Sequence, residues 1–143
     1  MKRFLQASLL VLAVALGGAL VGRAAPSFQN GLVTIRGTLG AISGANPVLK
    51  AGGQQIALAG QSPYILKTLQ DKRLRGQELE VIGTRSPRGS FVVQRLYAVH
   101  NGQLYRIHYY CEVCNITYNE PGHCYCCGRE TKLQEVPVQN SSQ

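Results

Sequence analysis

The stretch Phe91-Val-Val-Gln-Arg-Leu-Tyr-Ala-Val99-His-Asn101-Gly102-Gln-Leu104-Tyr-Arg-Ile-His-Tyr-Tyr110-Cys111 decides the fold. Two runs rich in β-branched and aromatic residues flank Asn101-Gly102, a dipeptide that accepts positive φ at both central places of a tight turn. The pattern predicts a hairpin pairing Phe91–Val99 with Leu104–Tyr110. Its second strand runs straight into a cysteine, so whatever that thiol does is done at the end of a sheet strand.

Upstream, Glu78–Gly83 reads as a strand with Leu79 and Val81 on one face, followed by a turn at Ser86-Pro-Arg-Gly89. Ser62-Pro63 is a helix start, with the hydroxyl as N-cap and proline at the first helical place; Ile65, Leu66 and Leu69 continue at helical spacing, and Gly76 is expected to end the helix. Pro47–Lys50 and Gln54–Leu58 form a second hairpin around Gly52-Gly53. From Leu32, Val33, Ile35, Gly37 and Leu39 alternate with Thr34, Arg36 and Thr38, which is a half-buried strand. Several short strands, one helix before the last three, sixteen glycines and no tryptophan give a mainly β class. The expected architecture over residues 32–108 is a small Greek-key barrel of the oligonucleotide/oligosaccharide-binding (OB) kind, with a plain β-sandwich as the alternative.

Downstream, all five cysteines of the 143-residue chain fall within seventeen residues. Four make two Cys-x-x-Cys pairs, Cys111/Cys114 and Cys124/Cys127. Two residues between thiols let one tight turn aim both sulfurs at a common point, and a second such turn completes a tetrahedral cage. Gly128 supports this reading, because glycine after the second pair accepts the positive φ that turns backbone N–H groups toward sulfur. Pro121-Gly122 marks the turn that returns the chain. The expected site is therefore a metal knuckle over residues 109–137 with Cys111, Cys114, Cys124 and Cys127 as ligands, zinc as the cofactor and iron as its substitute. Cys126 and His123 stand close enough in sequence to replace a ligand. Two rivals use the same residues: a disulfide scaffold, which five thiols would leave with one over, and a dithiol redox site, which lacks the helix start that usually lowers a thiol pKa. Haem attachment is excluded, since Asn115 and Gly128 follow the pairs where histidine is needed.

Three resemblances accompany these motifs. Leu74-Arg-Gly76-Gln-Glu-Leu-Glu-Val-Ile-Gly83-Thr-Arg followed by Phe91–Val99 resembles the later strands of exported bacterial OB-like barrels. Tyr110-Cys111-x-x-Cys114 with Cys124-x-x-Cys127-Gly128 is similar to zinc ribbons and rubredoxin-like knuckles, which implies four thiolates around zinc or iron. Pro121-Gly122-x-Cys124-x-x-Cys127-Gly128 through Leu133 and Pro137 is also similar to the heavy-metal-binding domains of metal-efflux proteins, although Val113 and Asn115 stand where those domains carry methionine and histidine.

The amino terminus points to export. Lys2 and Arg3 precede an apolar run from Phe4 to Val21, and Gly22-Arg23-Ala24 satisfies the small-residue rule for cleavage after residue 24. Uncut, the run is long enough to act as a membrane anchor. Residues 25–31 read as a linker and 138–143 as a disordered tail. The formal charge of +8 becomes +5 without the leader, and the residual basic character concentrates between Lys67 and Arg106. That distribution describes a mixed solvated surface, or a stacking and anion-binding face of Arg95, Tyr97, Tyr105 and Arg106 for single-stranded nucleic acid or glycan. Export removes most nucleic acid from reach, so the expected partner is another protein or an envelope component. Asp71 is the one aspartate, Glu78 and Glu80 alternate on a strand, and no phosphate loop or nucleophile elbow occurs. The expectation is a periplasmic or membrane-anchored binding or assembly module, not an enzyme, with periplasmic thiol-redox or metal handling as the alternative.

Overall fold

The computed structural model describes residues 31–40 and 46–139. The leader, most of the linker, part of the loop before Pro47 and the last four residues lie outside the described residues. Among the described residues no helix is long and apolar enough to cross a membrane.

The chain runs β1 (Val33–Leu39), β2 (Val48–Ala51), β3 (Gln54–Gly60), α1 (Pro63–Leu69), β4 (Glu78–Arg85), β5 (Phe91–His100), β6 (Gln103–Cys111), β7 (Ile116–Tyr118) and β8 (Lys132–Pro137). The first five strands pair in the order β3-β2-β1-β4-β5, and a parallel pairing of β3 with β5 closes the ring. All the other pairings are antiparallel. This mainly β architecture, with one α-helix among the described residues and a cysteine ribbon behind it, agrees with the class expected from the sequence.

Closure of so small a ring needs a sharp bend, and β4 supplies it at Gly83, where the register against β5 shifts. A Cβ at Gly83 would lie 2.0 Å from the Val92 carbonyl oxygen, so only glycine lets the two strands approach there. Inside the ring, Leu39, Leu49, Leu58, Leu79, Val81, Phe91, Val93 and Ala98 form one apolar cluster with Leu69 of α1 and Leu74. α1 begins as expected: Ser62 Oγ accepts from the Ile65 N–H at 3.4 Å, and Pro63 opens the helix. It ends earlier than expected, at Leu69. The chain then makes a separate 3-10 turn, Lys72–Leu74, because the Asp71 carboxylate caps the Arg73 N–H at 3.0 Å and starts a new element; Gly76, at φ 79°, closes that turn and not α1.

The Asn101-Gly102 hairpin forms, but its ladder is shorter than expected. β5 and β6 pair only at Ala98↔Tyr105, Val99↔Leu104 and His100↔Gln103. β3 already occupies the same edge of β5 at Phe91–Val93, so β6 cannot follow β5 further and leaves the barrel. It carries on as the centre of a three-stranded ribbon. Tyr109–Cys111 pair with β7, and Tyr105–Tyr110 pair with β8, which returns along most of β6. The boundary drawn at 108/109 therefore falls inside a strand shared by barrel and ribbon. Order also extends past β8, because the Val138 N–H donates to the Leu104 carbonyl at 2.8 Å.

Candidate metal centre

The ribbon's two turns are built alike. β6 delivers Cys111, the chain turns through Glu112 and Val113 to Cys114, and the Asn115 N–H donates back to the Cys111 carbonyl at 2.8 Å. Asn115 sits at φ 57°. In the second turn the Gly128 N–H donates to the Cys124 carbonyl at 2.8 Å, with Gly128 at φ 70°. Asparagine is among the few side-chain-bearing residues that adopt this conformation readily, so Asn115 does for the first turn what Gly128 does for the second. The second turn is clasped at its base: Cys124 N–H donates to Arg129 O at 2.8 Å, His123 bridges Glu130, and both the N–H and the hydroxyl of Thr131 donate to the Gly122 carbonyl.

These turns bring Sγ of Cys111, Cys114, Cys124 and Cys127 within 4.8 Å of one another. The Cys111 and Cys127 sulfurs are 3.5 Å apart. Four thiolates at about 2.3 Å from a tetrahedral zinc stand roughly 3.8 Å from each other, so the spacing fits such an ion. All five thiols are free, and no disulfide joins them. Cys111 and Cys124 are buried, Cys114 is half-buried, Cys127 is more open to solvent, and Cys126 is exposed outside the group of four. His123 is likewise outside it; with Lys67, Tyr118 and Tyr125 it lines a cavity of about 320 Å³ beside Cys124.

The electrostatics of the thiols are uneven. The Tyr118 hydroxyl donates to Cys124 Sγ at 3.3 Å, and together with the Cys127 and Cys126 N–H groups it holds the Cys124 thiol down to about 6. At Cys111 the Cys114 N–H favours the thiolate, but burial and the neighbouring Cys127 and Cys124 thiols outweigh it and push the thiol up. Cys114 is pushed up most, by the Cys126 thiol first, then by burial and by Cys127 and Cys124. Crowded thiols resist ionising together; a divalent cation at their centre removes that resistance and takes the place of the protons. Soft sulfur donors in a tetrahedral set suit zinc or iron.

A seam of polar contacts fixes this ribbon to the barrel. Arg73 grips the Asp71 carboxylate through Nε and Nη2, the latter at 2.8 Å, donates from Nη1 to the Thr131 carbonyl at 2.9 Å, and lays its guanidinium 5.3 Å from the centre of the Tyr109 ring. Thr68 of α1 donates to Asn119 O at 3.4 Å, and Lys67 pairs with Glu120 at 2.8 Å. Burial would raise the Asp71 pKa, but the Arg73 side chain and backbone N–H prevail and hold it below the ordinary carboxylate value. Tyr109 is pushed up by burial and by Asp71 beside it. The helix expected to run on to Gly76 would contain Asp71; the signal for its real position is Asp-x-Arg straight after a helix, the pattern of an Asx-capped turn.

Of the four residues of the expected stacking face, Tyr105 stands apart from the others. Arg95 and Arg106 are exposed and Tyr97 is half-buried. Tyr105, opposite Ala98, is turned to the core side, where it packs against the apolar cluster and edge-on to His100. Pairing Tyr105 with Ala98 commits both side chains to the same side of the sheet.

No known family model, curated protein sequence or solved structure matches this chain. The fold and the site define a small β-barrel with a four-thiol ribbon.

Proposed function

We propose that this protein is an exported binding or assembly module in which Cys111, Cys114, Cys124 and Cys127 hold one structural zinc ion, with iron as the substitute. The convergence of four sulfurs from two like turns carries this reading. The four donors fill a tetrahedron and leave no open position for a substrate, so the ion's role is to hold the ribbon together. The ring of five strands, closed by a parallel pairing and carrying its helix between the third and fourth strands, supports an OB-like barrel. The outward strand surfaces bearing Arg95, Tyr97 and Arg106 are the place for a protein or envelope partner. Lys2, Arg3 and the Phe4–Val21 run support periplasmic delivery or anchoring to the membrane.

A redox use of the same thiols is less well supported. A reactive cysteine needs a lowered pKa together with access, and the thiol held down near 6 is the buried Cys124. Elemental analysis and thiol counting on protein taken from the compartment to which it is delivered test the proposal. The expected result is one zinc or iron per chain, with the four ligand thiols blocked to alkylating reagents until a chelator is added. Metal-free protein whose thiols cycle between oxidised and reduced forms would overturn it.

A further inference from the structure

Where β6 and β8 pair, alternation along β6 turns Tyr105 and Ile107 toward the apolar cluster and leaves Arg106 and His108 on the opposite, outer side. No acid balances them there. β6 carries none, and the single acid of β8, Glu135, stands opposite Ile107 and pairs with His100 on the core side. Further along, Glu112 is already paired with Lys132 at 2.6 Å, and the ion pairs among the described residues leave Arg106 out. Arg106 and His108, together with Val136, Pro137 and Gln139, line a cavity of about 370 Å³, a volume within the range of small-ligand sites. Its wall is fixed. The Val138 N–H donates to the Leu104 carbonyl at 2.8 Å, and Gln103 Nε2 donates to the Val138 carbonyl at 3.0 Å. His108 Nδ1 is buried without a partner, so a proton there would be stranded and the neutral ring carries its N–H at Nε2.

We propose that this cavity binds a carboxylate borne on a small apolar group, either a free acid or the carboxy-terminal residue of a peptide. This names the ligand chemistry for the part of the partner surface that holds Arg106; it rests on reading that surface as a binding surface and does not involve the thiols. The Arg106 guanidinium presents parallel N–H donors in one plane, which match the two oxygens of a carboxylate. His108 Nε2–H and the Gln139 amide supply further donors to the same space. One fixed positive charge and a few donors satisfy a monoanion, whereas a phosphate dianion would keep oxygens unpaired and a charge unbalanced. The rest of the wall is apolar. Val136 is 47% exposed and Pro137 stands beside it, so a hydrocarbon group next to the carboxylate covers surface that water otherwise meets. The cavity thus asks for both parts of the ligand at once, an anionic head for Arg106 and a short apolar body for Val136.

The test is a titration of the full-length protein, followed by amide chemical shifts, with isovalerate as the free acid and acetyl-alanyl-valine as the peptide end. The amide of the same dipeptide and inorganic phosphate serve as comparisons. The expected result is saturable shifts confined to β6, β8 and Gln139, with a dissociation constant on the order of 1 mM for a carboxylate, and none for the amide. Tighter binding of the dipeptide assigns the ligand to a peptide terminus, and equal binding of the two assigns it to a free acid. Arg106→Gln, at an exposed position where the fold is kept, should weaken binding by about tenfold, while Arg88→Gln, the same charge change in an exposed turn, should leave it as it is. Equal weakening by both variants would overturn the proposal, since net charge alone would then be attracting the acid. Binding of the amide or of phosphate as tight as that of the carboxylates would overturn it too, as would shifts that never saturate. Zinc content read on the same samples keeps the cage apart: a protein that holds zinc but no carboxylate loses this proposal and retains the four-thiol reading.

Discussion

In the barrel, ten side chains drawn from every strand of the ring, from α1 and from the 3-10 turn make one continuous apolar cluster. In the ribbon, the fully buried side chains among the described residues are Tyr109, Cys111, Cys124 and Thr131. Both regions are β-structure and share β6, yet one is held by burial of hydrocarbon and the other has almost none to bury. A segment of some thirty residues with so little apolar core has little packing to hold its shape, and on the metal-site reading proposed above sulfur–metal bonds would do for it what leucines do for the barrel. The difference teaches where each part is vulnerable: the barrel to loss of volume, the ribbon to loss of a donor atom.

The largest effect should come from breaking the ribbon alone. Cys124→Ser removes one of the two buried donors, and structural zinc in small thiolate sites contributes apparent free energies of about 10–16 kcal/mol. Amide hydrogen exchange should then rise across Cys111–Thr131 while β1–β5 keep their protection. Phe91→Ala should do the converse. Truncating a fully buried phenylalanine costs about 3–5 kcal/mol, which lowers the denaturant midpoint of the barrel. If both variants lose protection over the same residues and to the same degree, the two regions are a single cooperative unit and the contrast drawn above is wrong.

A smaller effect sharpens the contrast at the seam. Asp71 holds Arg73, and Arg73 holds the Thr131 carbonyl and the Tyr109 ring, so the barrel side of the seam is organised by one carboxylate faced by one guanidinium and one phenol. The folded Asp71 pKa is lowered, so its stabilisation is fully present above its unfolded value and is lost as pH falls through the folded one. Wild type should therefore lose melting temperature more steeply below about pH 4 than Asp71→Asn does. Parallel profiles for the two proteins would show that the seam carries no linked proton.

Much of the barrel was legible from single residues. The Ser62-Pro63 cap, the glycine pair at 52 and 53 and the Asn-Gly turn act within a few positions of themselves, and each is where the sequence puts it. What the sequence hid was competition between distant strands. Nothing near Leu104 reveals that β3 has taken the edge of β5 that β6 was expected to follow, or that β8 would pair with β6 instead. The same blindness left Tyr105 open between sheet packing and the stacking face, a choice that its register with Ala98 makes by turning it inward. At the site, Cys-x-x-Cys spacing was enough to group the four sulfurs, because each pair is local. The seam was not visible, since Arg73 and Thr131 are far apart in sequence and meet only once β8 has returned along β6.

The smallest effect concerns the likeness of the two turns. Asn115 and Gly128 both occupy the left-handed region, and each N–H donates to the carbonyl of the first cysteine of its pair. Asparagine also accepts from the Tyr110 hydroxyl, a contact that glycine at 128 has no side chain to make. A β-branched residue at either place incurs strain of roughly 1–2 kcal/mol, so Asn115→Val should weaken zinc binding by about tenfold while Asn115→Gly stays close to wild type. The reciprocal Gly128→Asn should also be tolerated, because the side chain it adds meets nothing within 4 Å at its Cβ. If Asn115→Gly weakens binding as much as Asn115→Val does, it is the Tyr110 contact and not the backbone conformation that sets the first turn. The two turns would then be alike in shape but held by different forces.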